Sequence, residues 1–245
     1  MMQVLVTRSA EDGARTGAAV AAKGWRPVLA PAIRIRFFEE IETDLENIAA
    51  IALTSANGAR ALAALKSKPE NWRGVPVFAV GRITAEAAKA AGFENVETAS
   101  GTVASLADLI AREYRGEGRP VLHAVGRAQA GDLAGVLAEA GVPAQKTVLY
   151  DAEPVAALPE PVQNALSQTP PALDWATFFS PRTARVFIDR AEDAGLVAAL
   201  GAVRVACLSP AVAEAAGRAQ WRTVVIADEP TEEALLRAIE QGIEA

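Results

Sequence analysis

The feature that most constrains the fold is a succession of short apolar runs, each followed by a helical pattern. Runs such as residues 48–53, and 203–208 apart from Arg204, are apolar rather than alternating, which is typical of strands in parallel sheets that are buried on both faces. Helices follow these runs; Leu106, Leu109 and Ile110, for example, have the i, i+3, i+4 spacing of an amphipathic helix. The pattern therefore predicts an α/β protein with parallel sheets flanked by helices.

One strand–helix junction occurs twice. Residues 51–60 read IALTSANGAR, and residues 175–185 read WATFFSPRTAR. Ser55 and Ser180 stand where the two apolar runs end, and Ala-Arg follows four residues later in both. Serine is a favoured helix N-cap, so each residue could act as a cap only. A helix N-terminus beside a hydroxyl also forms a local anion site, and the repetition favours this second role.

The order of the segments predicts a duplicated architecture. A strand-Arg-helix-Gly-strand unit and a strand-Ser-helix-strand-helix unit alternate along the chain, twice each. Two segments without regular periodicity, 33–40 and the proline-rich 151–171, are predicted to be extended connectors. We therefore expect two similar lobes, each a parallel β-sheet flanked by helices: domain one from residues 1–32 and 172–245, and domain two from residues 41–150. The alternative is a single (β/α)₈ barrel, which needs a similar chain length.

The loops that follow the strands predict the functional face, because ligands bind outside the carboxyl ends of parallel strands. Four of these loops carry an arginine, namely Arg8, Arg82, Arg127 and Arg182. Small loop residues let the backbone approach a ligand closely, and arginine binds carboxylate or phosphate in a bidentate manner. Each arginine alone could be a solvated surface charge, but four at equivalent junctions favour an anion-binding face.

Composition excludes several other classes of protein. The formal charge is 24 − 30 = −6, which counts against a general nucleic-acid surface or binding to an anionic membrane. No apolar run is long enough to span a membrane and no signal peptide is seen, so we expect a cytoplasmic protein. The single cysteine, Cys207, excludes an internal disulfide, and no His/Cys cluster has metal-ligand spacing. The single histidine, His123, lies within an apolar run and is predicted to be packed or hydrogen-bonded rather than a catalytic base.

Several short stretches along the chain together carry a resemblance to a known family. They are VTR at 6–8, LTSANGAR at 53–60, AVGRITA at 79–85, GR at 126–127, VLY at 148–150, FSP at 179–181 and PTEEAL at 230–235. Each is weak alone, but in this order across the 245 residues they resemble uroporphyrinogen-III synthase. Motifs of nucleotide-binding enzymes and hydrolases, such as a Walker A loop or a Gly-x-Ser-x-Gly elbow, are missing.

The resemblance implies a bilobal fold with an active site in the cleft between the lobes. The substrate would be hydroxymethylbilane, a linear tetrapyrrole with acetate and propionate groups. The enzyme would remove the terminal hydroxyl as water, invert ring D through a spiro intermediate and close the macrocycle, as a cytoplasmic monomer without a cofactor. The alternative is a two-lobed binding module for a polycarboxylate or other small anion that performs no chemistry.

The resemblance also implies residue roles. It places the hydroxyl of Tyr150 where it would assist departure of the leaving hydroxyl; the alternative is a strand-end tyrosine that only packs. Together with the loop chemistry, it marks as substrate-binding Arg8, Ser55, Asn57, Gly81, Thr84, Gly101, Gly126, Arg127, Ser180, Arg182, Ser209 and Thr231. One position departs from the family pattern: Val212 stands where a threonine thought to contact the substrate is common, so that contact would be lost or supplied by Ser209.

Overall fold

A computed structural model describes residues 1–128 and 131–244. Its strands are β1 (Gln3–Val6), β2 (Arg26–Leu29), β3 (Ile33–Phe37), β4 (Ala50–Leu53), β5 (Val77–Ala79), β6 (Val96–Thr98), β7 (Val121–Gly126), β8 (Ala144–Pro154), β9 (Trp175–Phe178), β10 (Arg204–Cys207) and β11 (Thr223–Ile226). Its α-helices are α1 (Ala10–Ala22), α2 (Ala56–Ala64), α3 (Arg82–Ala90), α4 (Val103–Glu113), α5 (Leu133–Glu139), α6 (Glu160–Leu166), α7 (Pro181–Asp193), α8 (Pro210–Ala216) and α9 (Glu232–Glu244). The chain divides into two compact units: unit 1 is Met1–Arg34 with Glu153–Ala245, and unit 2 is Ile35–Ala152.

Unit 1 contains a five-stranded sheet in the order β11-β10-β9-β1-β2, with every neighbouring pair parallel. Successive side chains of a strand point to opposite faces. Leu5 therefore packs with Phe178 and Phe187 of one core cluster, whereas Val4 packs with Trp175 and Leu235 of another. Both faces of the sheet are buried under helices, as the continuous apolar runs predicted.

Unit 2 contains a six-stranded sheet in the order β3-β8-β7-β4-β5-β6. The pairs β8-β7, β7-β4, β4-β5 and β5-β6 are parallel. Ile51 packs with Leu62 of α2 on one face, and Ala52 packs with Leu106 of α4 on the other. The predicted fold class, parallel sheets flanked by helices, is thus confirmed.

The segments predicted to be irregular connectors are partly strand. β3 occupies Ile33–Phe37, and β8 continues past Tyr150 to Pro154, so the first residues of the predicted connector 151–171 are strand. The Phe38 N–H donates to the Leu149 carbonyl at 2.8 Å and the Val155 N–H donates to the Ala32 carbonyl at 3.0 Å, which makes the two strands antiparallel. Residues 33–37 read IRIRF, and this alternation of apolar and charged side chains is itself a strand pattern that the prediction missed. Residues 151–154 include two carboxylates and a proline, which disfavour strands, and backbone pairing extends β8 through them. That the two predicted sequence ranges are independent domains stays a prediction.

Two buried threonines join the central strands of the unit 1 sheet. The Thr7 hydroxyl donates to the Thr177 carbonyl at 2.7 Å, and the Thr177 hydroxyl donates to the Leu5 carbonyl at 2.8 Å. Both side chains are fully buried. These reciprocal bonds tie β1 to β9 although residues 1–34 and 153–245 are far apart in sequence.

Replacing Thr177 by valine should lower the free energy of unfolding by about 1–2 kcal/mol, because the hydroxyl bond to the Leu5 carbonyl is lost from a dry site. Urea denaturation would measure the change. Thr223→Val is the matched control, since Thr223 lies exposed in β11 of the same sheet and should change stability by less than about 0.5 kcal/mol. Equal effects of the two substitutions would contradict the assigned role of Thr177.

Candidate active site

Chain order and strand order together locate the functional end of each sheet. In unit 2 the chain builds outward from β4 through β5 to β6 in one direction, and from β7 to β8 in the other. In unit 1 the corresponding change of direction falls between β1 and β9. Ligands of open α/β sheets bind beyond the carboxyl ends of strands at such switch points. The loops after β4 and β7, and after β1 and β9, are therefore the first candidates for a site.

The two repeated serines adopt nearly the same geometry. Ser55 has φ −152° and ψ 145°, and its hydroxyl accepts a hydrogen bond from the Asn57 N–H at 3.2 Å. Ser180 has φ −152° and ψ 151°, and its hydroxyl accepts from the Thr183 N–H at 3.1 Å. Both serines are confirmed as helix N-caps. The Asn57 side chain accepts a bond from Arg60 at 2.7 Å, which fixes its orientation in the first turn of α2.

Two glycine loops meet beside this junction in unit 2. Gly81 is the N-cap of α3 and has no side chain to cap it, so that end of the helix is open to an external acceptor. A Cβ atom at Gly81 would lie 3.6 Å from the Cα atom of Gly101. Gly101 has φ +99°, a left-handed conformation that favours glycine. Thr84, in the first turn of α3, is buried.

Tyr150 packs directly on Gly126. The two residues pair across β7 and β8 at a register shift, and a Cβ atom at Gly126 would lie 2.6 Å from the Tyr150 ring atom Cε2. Only glycine leaves room for the ring in this position. Tyr150 is 9% exposed, so the ring is buried in β8 beside the carboxyl end of β7.

Arg127 is already paired within the protein. Its Nε atom lies 2.9 Å from a carboxylate oxygen of Asp151, its guanidinium lies 5.7 Å from the centre of the Phe38 ring, and its backbone N–H donates to the Tyr150 carbonyl at 2.9 Å. Neither Asp151 nor Phe38 stood among the predicted site residues. The pairing of β7 with β8 brings Asp151 to Arg127, and the pairing of β8 with β3 brings Phe38 there.

Arg8 of unit 1 is more strongly engaged. Its two terminal nitrogens each lie 3.2 Å from a carboxylate, one from Asp12 and the other from Glu232. The guanidinium also lies 4.5 Å from the centre of the Phe179 ring, and Thr16 hydrogen-bonds to the same Glu232 oxygen. A substrate carboxylate would have to compete with two carboxylates of the protein for Arg8.

The remaining predicted residues of unit 1 lie at three helix starts. Arg182 is exposed in the first turn of α7, and the Thr231 hydroxyl accepts from the Ala234 N–H at 3.2 Å, which caps α9. Ser209 precedes α8, but its side chain makes no capping hydrogen bond, in contrast to Ser55 and Ser180. Val212 has no polar side-chain group and is 2% exposed within the unit 1 core. The polar side chain at this loop is therefore that of Ser209.

His123 lies inside the unit 2 sheet, in the middle of β7. It is 3% exposed, and its Nε2 atom lies 3.3 Å from the Thr54 hydroxyl oxygen. Burial, with a contribution from Lys146 and against the opposing effect of Asp132, lowers the pKa of His123 to about 4. The imidazole is therefore neutral at neutral pH, in agreement with the prediction that it is packed and hydrogen-bonded.

The part of the chain that the structure describes offers no metal site. No group of three or more His, Cys, Asp or Glu side chains within residues 1–128 and 131–244 is placed to hold an ion. Cys207 is fully buried, and burial raises the pKa of its thiol to about 12, so it is a poor nucleophile. Among the same residues, no helix has the length and apolar character needed to cross a membrane.

A cavity of about 340 Å³ in unit 2 lies away from these strand ends. Its lining comes from residues 39–46, which precede β4, and residues 65–69, which follow α2, so it is at the opposite end of the strands. Glu39 there pairs with Lys66 at 2.8 Å, and hydrogen bonding to Lys66 lowers the pKa of Glu39. Its acidic lining does not suit an anionic ligand.

Fold and site together define a class of protein: a two-unit α/β protein whose parallel strands end in serine-capped helices and glycine loops suited to an anion. The chain belongs to the family described as uroporphyrinogen-III synthase HemD, whose family model matches residues 14–237. The resemblance seen in the short sequence stretches is thereby confirmed.

Solved structures agree on the fold. The chain is similar to uroporphyrinogen-III synthetase from Helicobacter pylori, with a TM-score of 0.66, 19% identity and 99% of each chain covered. It is also similar to a mutant uroporphyrinogen III synthase from Thermus thermophilus, with a TM-score of 0.50, 18% identity, and 100% of this chain and 99% of that chain covered. No curated protein sequence matches the chain significantly.

Acid should destabilise the protein through His123. The folded pKa of about 4 lies below the ordinary value of 6.5, so the unfolded chain binds a proton that the folded chain does not. Stability is unaffected by this group above about pH 6.5 and falls by about 3 kcal/mol as the pH drops to about 4. In urea denaturation between about pH 6.5 and pH 4, we expect the free energy of unfolding of His123→Leu to fall by about 3 kcal/mol less than that of the parent protein. Because the chain has one histidine, parallel pH profiles of the two proteins would contradict the assignment.

Proposed function

We propose that the chain is a uroporphyrinogen-III synthase, a hydro-lyase of haem biosynthesis. It would convert hydroxymethylbilane to uroporphyrinogen III with loss of one water and inversion of ring D. The family match over residues 14–237 carries this proposal. The repeated serine-capped helix starts at Ser55 and Ser180 support it, because they suit a ligand with several carboxylates.

The reaction requires little acid–base catalysis by the protein. The substrate's terminal C–O bond breaks with assistance from the pyrrole nitrogen, and the leaving hydroxyl takes one proton to become water. The resulting cation forms a C–C bond to the substituted α-carbon of ring D, which gives the spiro intermediate. The original bond between that α-carbon and the methylene bridge to ring C then breaks, the bridge carbon bonds instead to the free α-carbon of ring D, and that carbon loses one proton. The protein must supply the first proton and hold ring D in the inverted pose, and positioning can lower much of such a barrier.

Tyr150 is our proposed donor of that first proton. Its ring packs against Gly126 at the carboxyl end of β7, and this packing limits the conformational freedom of the hydroxyl. A phenol can both donate a proton and accept it again. The lowered pKa of His123 argues against that histidine as the donor, because it is neutral and buried at neutral pH.

Neutral donors should carry most of the carboxylate recognition. Arg8 and Arg127 already contact protein carboxylates, which weakens their attraction for a further anion. The N–H groups at the starts of α2, α3 and α7, with the Ser209 hydroxyl, are then the principal candidates. The other predicted residues, Asn57, Thr84, Gly101, Arg182 and Thr231, are proposed to shape or contact the substrate from these loops. We also propose that the protein is a cytoplasmic monomer that binds no nucleic acid and uses no cofactor.

The decisive test is the isomer of the product. Purified protein would be incubated with freshly prepared hydroxymethylbilane, and the oxidised porphyrin isomers would be separated. We expect type III product well above the type I product that forms spontaneously. Type I alone, with the substrate still bound, would replace the proposal with a non-catalytic module that binds a polycarboxylate.

Tyr150→Phe should lower kcat at least about tenfold and leave KM nearly unchanged, because the substitution removes a proton donor but keeps the ring. Tyr114→Phe is the matched control. The Tyr114 hydroxyl donates to the Arg119 carbonyl at 2.6 Å on the surface of unit 2, and these are the two tyrosines of the chain. Comparable kcat values for the two variants would remove Tyr150 from the mechanism.

A further inference from the structure

The pair formed by His123 and Thr54 has an unusual hydrogen-bond inventory. His123 lies in β7 and pairs in register with Ala52 of β4. Its Nε2 atom is 3.3 Å from the Thr54 hydroxyl oxygen, whereas its Nδ1 atom is buried and has no partner among the described residues. One ring nitrogen is thus bonded and the other is not.

This asymmetry selects a tautomer. A neutral imidazole has one N–H donor and one bare acceptor nitrogen. A proton on Nδ1 would bury an unpaired N–H group, which is rarer in proteins than an under-satisfied acceptor and costs the full desolvation penalty. A proton on Nε2 instead donates to Thr54 and leaves only a lone pair on Nδ1. The Nε2–H tautomer is therefore the favoured one.

The tautomer fixes the role of the threonine. A hydroxyl has one donor and two acceptor positions and rotates to suit its partners. If the Thr54 oxygen accepts from His123, its own proton is left to donate elsewhere. Thr54 is partly exposed, directly follows β4 and precedes the Ser55 cap, so the remaining proton is available at the unit 2 switch point.

We propose that His123 is a positioning residue which, by donating from Nε2 to Thr54, commits the Thr54 hydroxyl to donate a hydrogen bond to a substrate carboxylate. The inference rests on the proposed function for the identity of the carboxylate, but not for the tautomer. The buried His123 donates as a neutral imidazole, because a charged imidazole at this site would have lost its hydration. Thr54 then adds to the neutral groups that bind an anion in this acidic protein.

The tautomer can be read in the intact parent protein. With one histidine in the chain, ¹⁵N-labelled protein gives one imidazole in a long-range ¹H–¹⁵N correlation spectrum. At neutral pH we expect a protonated Nε2 and a bare Nδ1. An Nδ1–H tautomer or an imidazolium would overturn the proposal whether or not the protein is active.

Steady-state kinetics with hydroxymethylbilane test the role of the pair. Thr54→Val should raise KM about tenfold with little change in kcat, because a hydrogen bond to a charged group is lost. Thr54→Ser keeps the hydroxyl and should restore KM. His123→Leu should raise KM several-fold in the parent protein but have no effect in the Thr54→Val background, as expected of two residues that act as one unit.

Additive effects of the two substitutions, or an unchanged KM in Thr54→Val, would overturn the positioning role. Failure of the proposed function has a different signature, because the parent protein would then form no type III isomer while the tautomer spectrum still reports on the pair. A purely structural role of His123 would change the stability of the variants without changing KM, and that result also counts against the proposal.

Discussion

The structure depends on the burial of parallel strands on both faces. Once helices cover the two faces of each sheet, apolar side chains must fill the strands, as in β4 and β9, where every residue is buried. A polar side chain inside a strand then needs a partner there, as Thr177 has in the Leu5 carbonyl, and the other polar groups lie at the strand ends, where the backbone turns into a helix. The repeated serine junctions follow from this constraint, because a chain that leaves a dry strand and enters a helix needs an acceptor for its first N–H groups.

The same constraint explains why much of the fold was accessible from the sequence. Continuous apolar runs identified β4, β7 and β10, and the serines marked the starts of α2 and α7. What failed was the stretch around β3 and the end of β8. Residues 33–37 read IRIRF and alternate between partly buried and exposed, which is a local strand pattern, so β3 could have been predicted from the sequence. Residues 151–154 include two carboxylates and a proline, which disfavour strands, and this end of β8 forms because its backbone groups pair with a distant segment.

For the site, residue types were more predictable than residue partners. Hydroxyl caps at Ser55 and Ser180 follow from local sequence, since the acceptor and its N–H donor are two or three residues apart. The ion pairs of Arg8 with Glu232, 224 positions away, and of Arg127 with Asp151 are set by strand order. Arginine at a strand end therefore indicates the functional rim, but not whether its charge is available to a ligand.

These pairings bear on how an acidic chain can bind an acidic ligand. With a formal charge of −6, long-range attraction cannot assemble the complex, and Arg8 and Arg127 are each balanced by neighbouring carboxylates. Backbone N–H groups and hydroxyls remain, and their dipoles act at short range whatever the net charge. Recognition built this way selects for the positions of several carboxylates at once rather than for total negative charge. A tetrapyrrole that must present ring D in one inverted pose needs this geometric selection, since charge alone would hold several poses equally well.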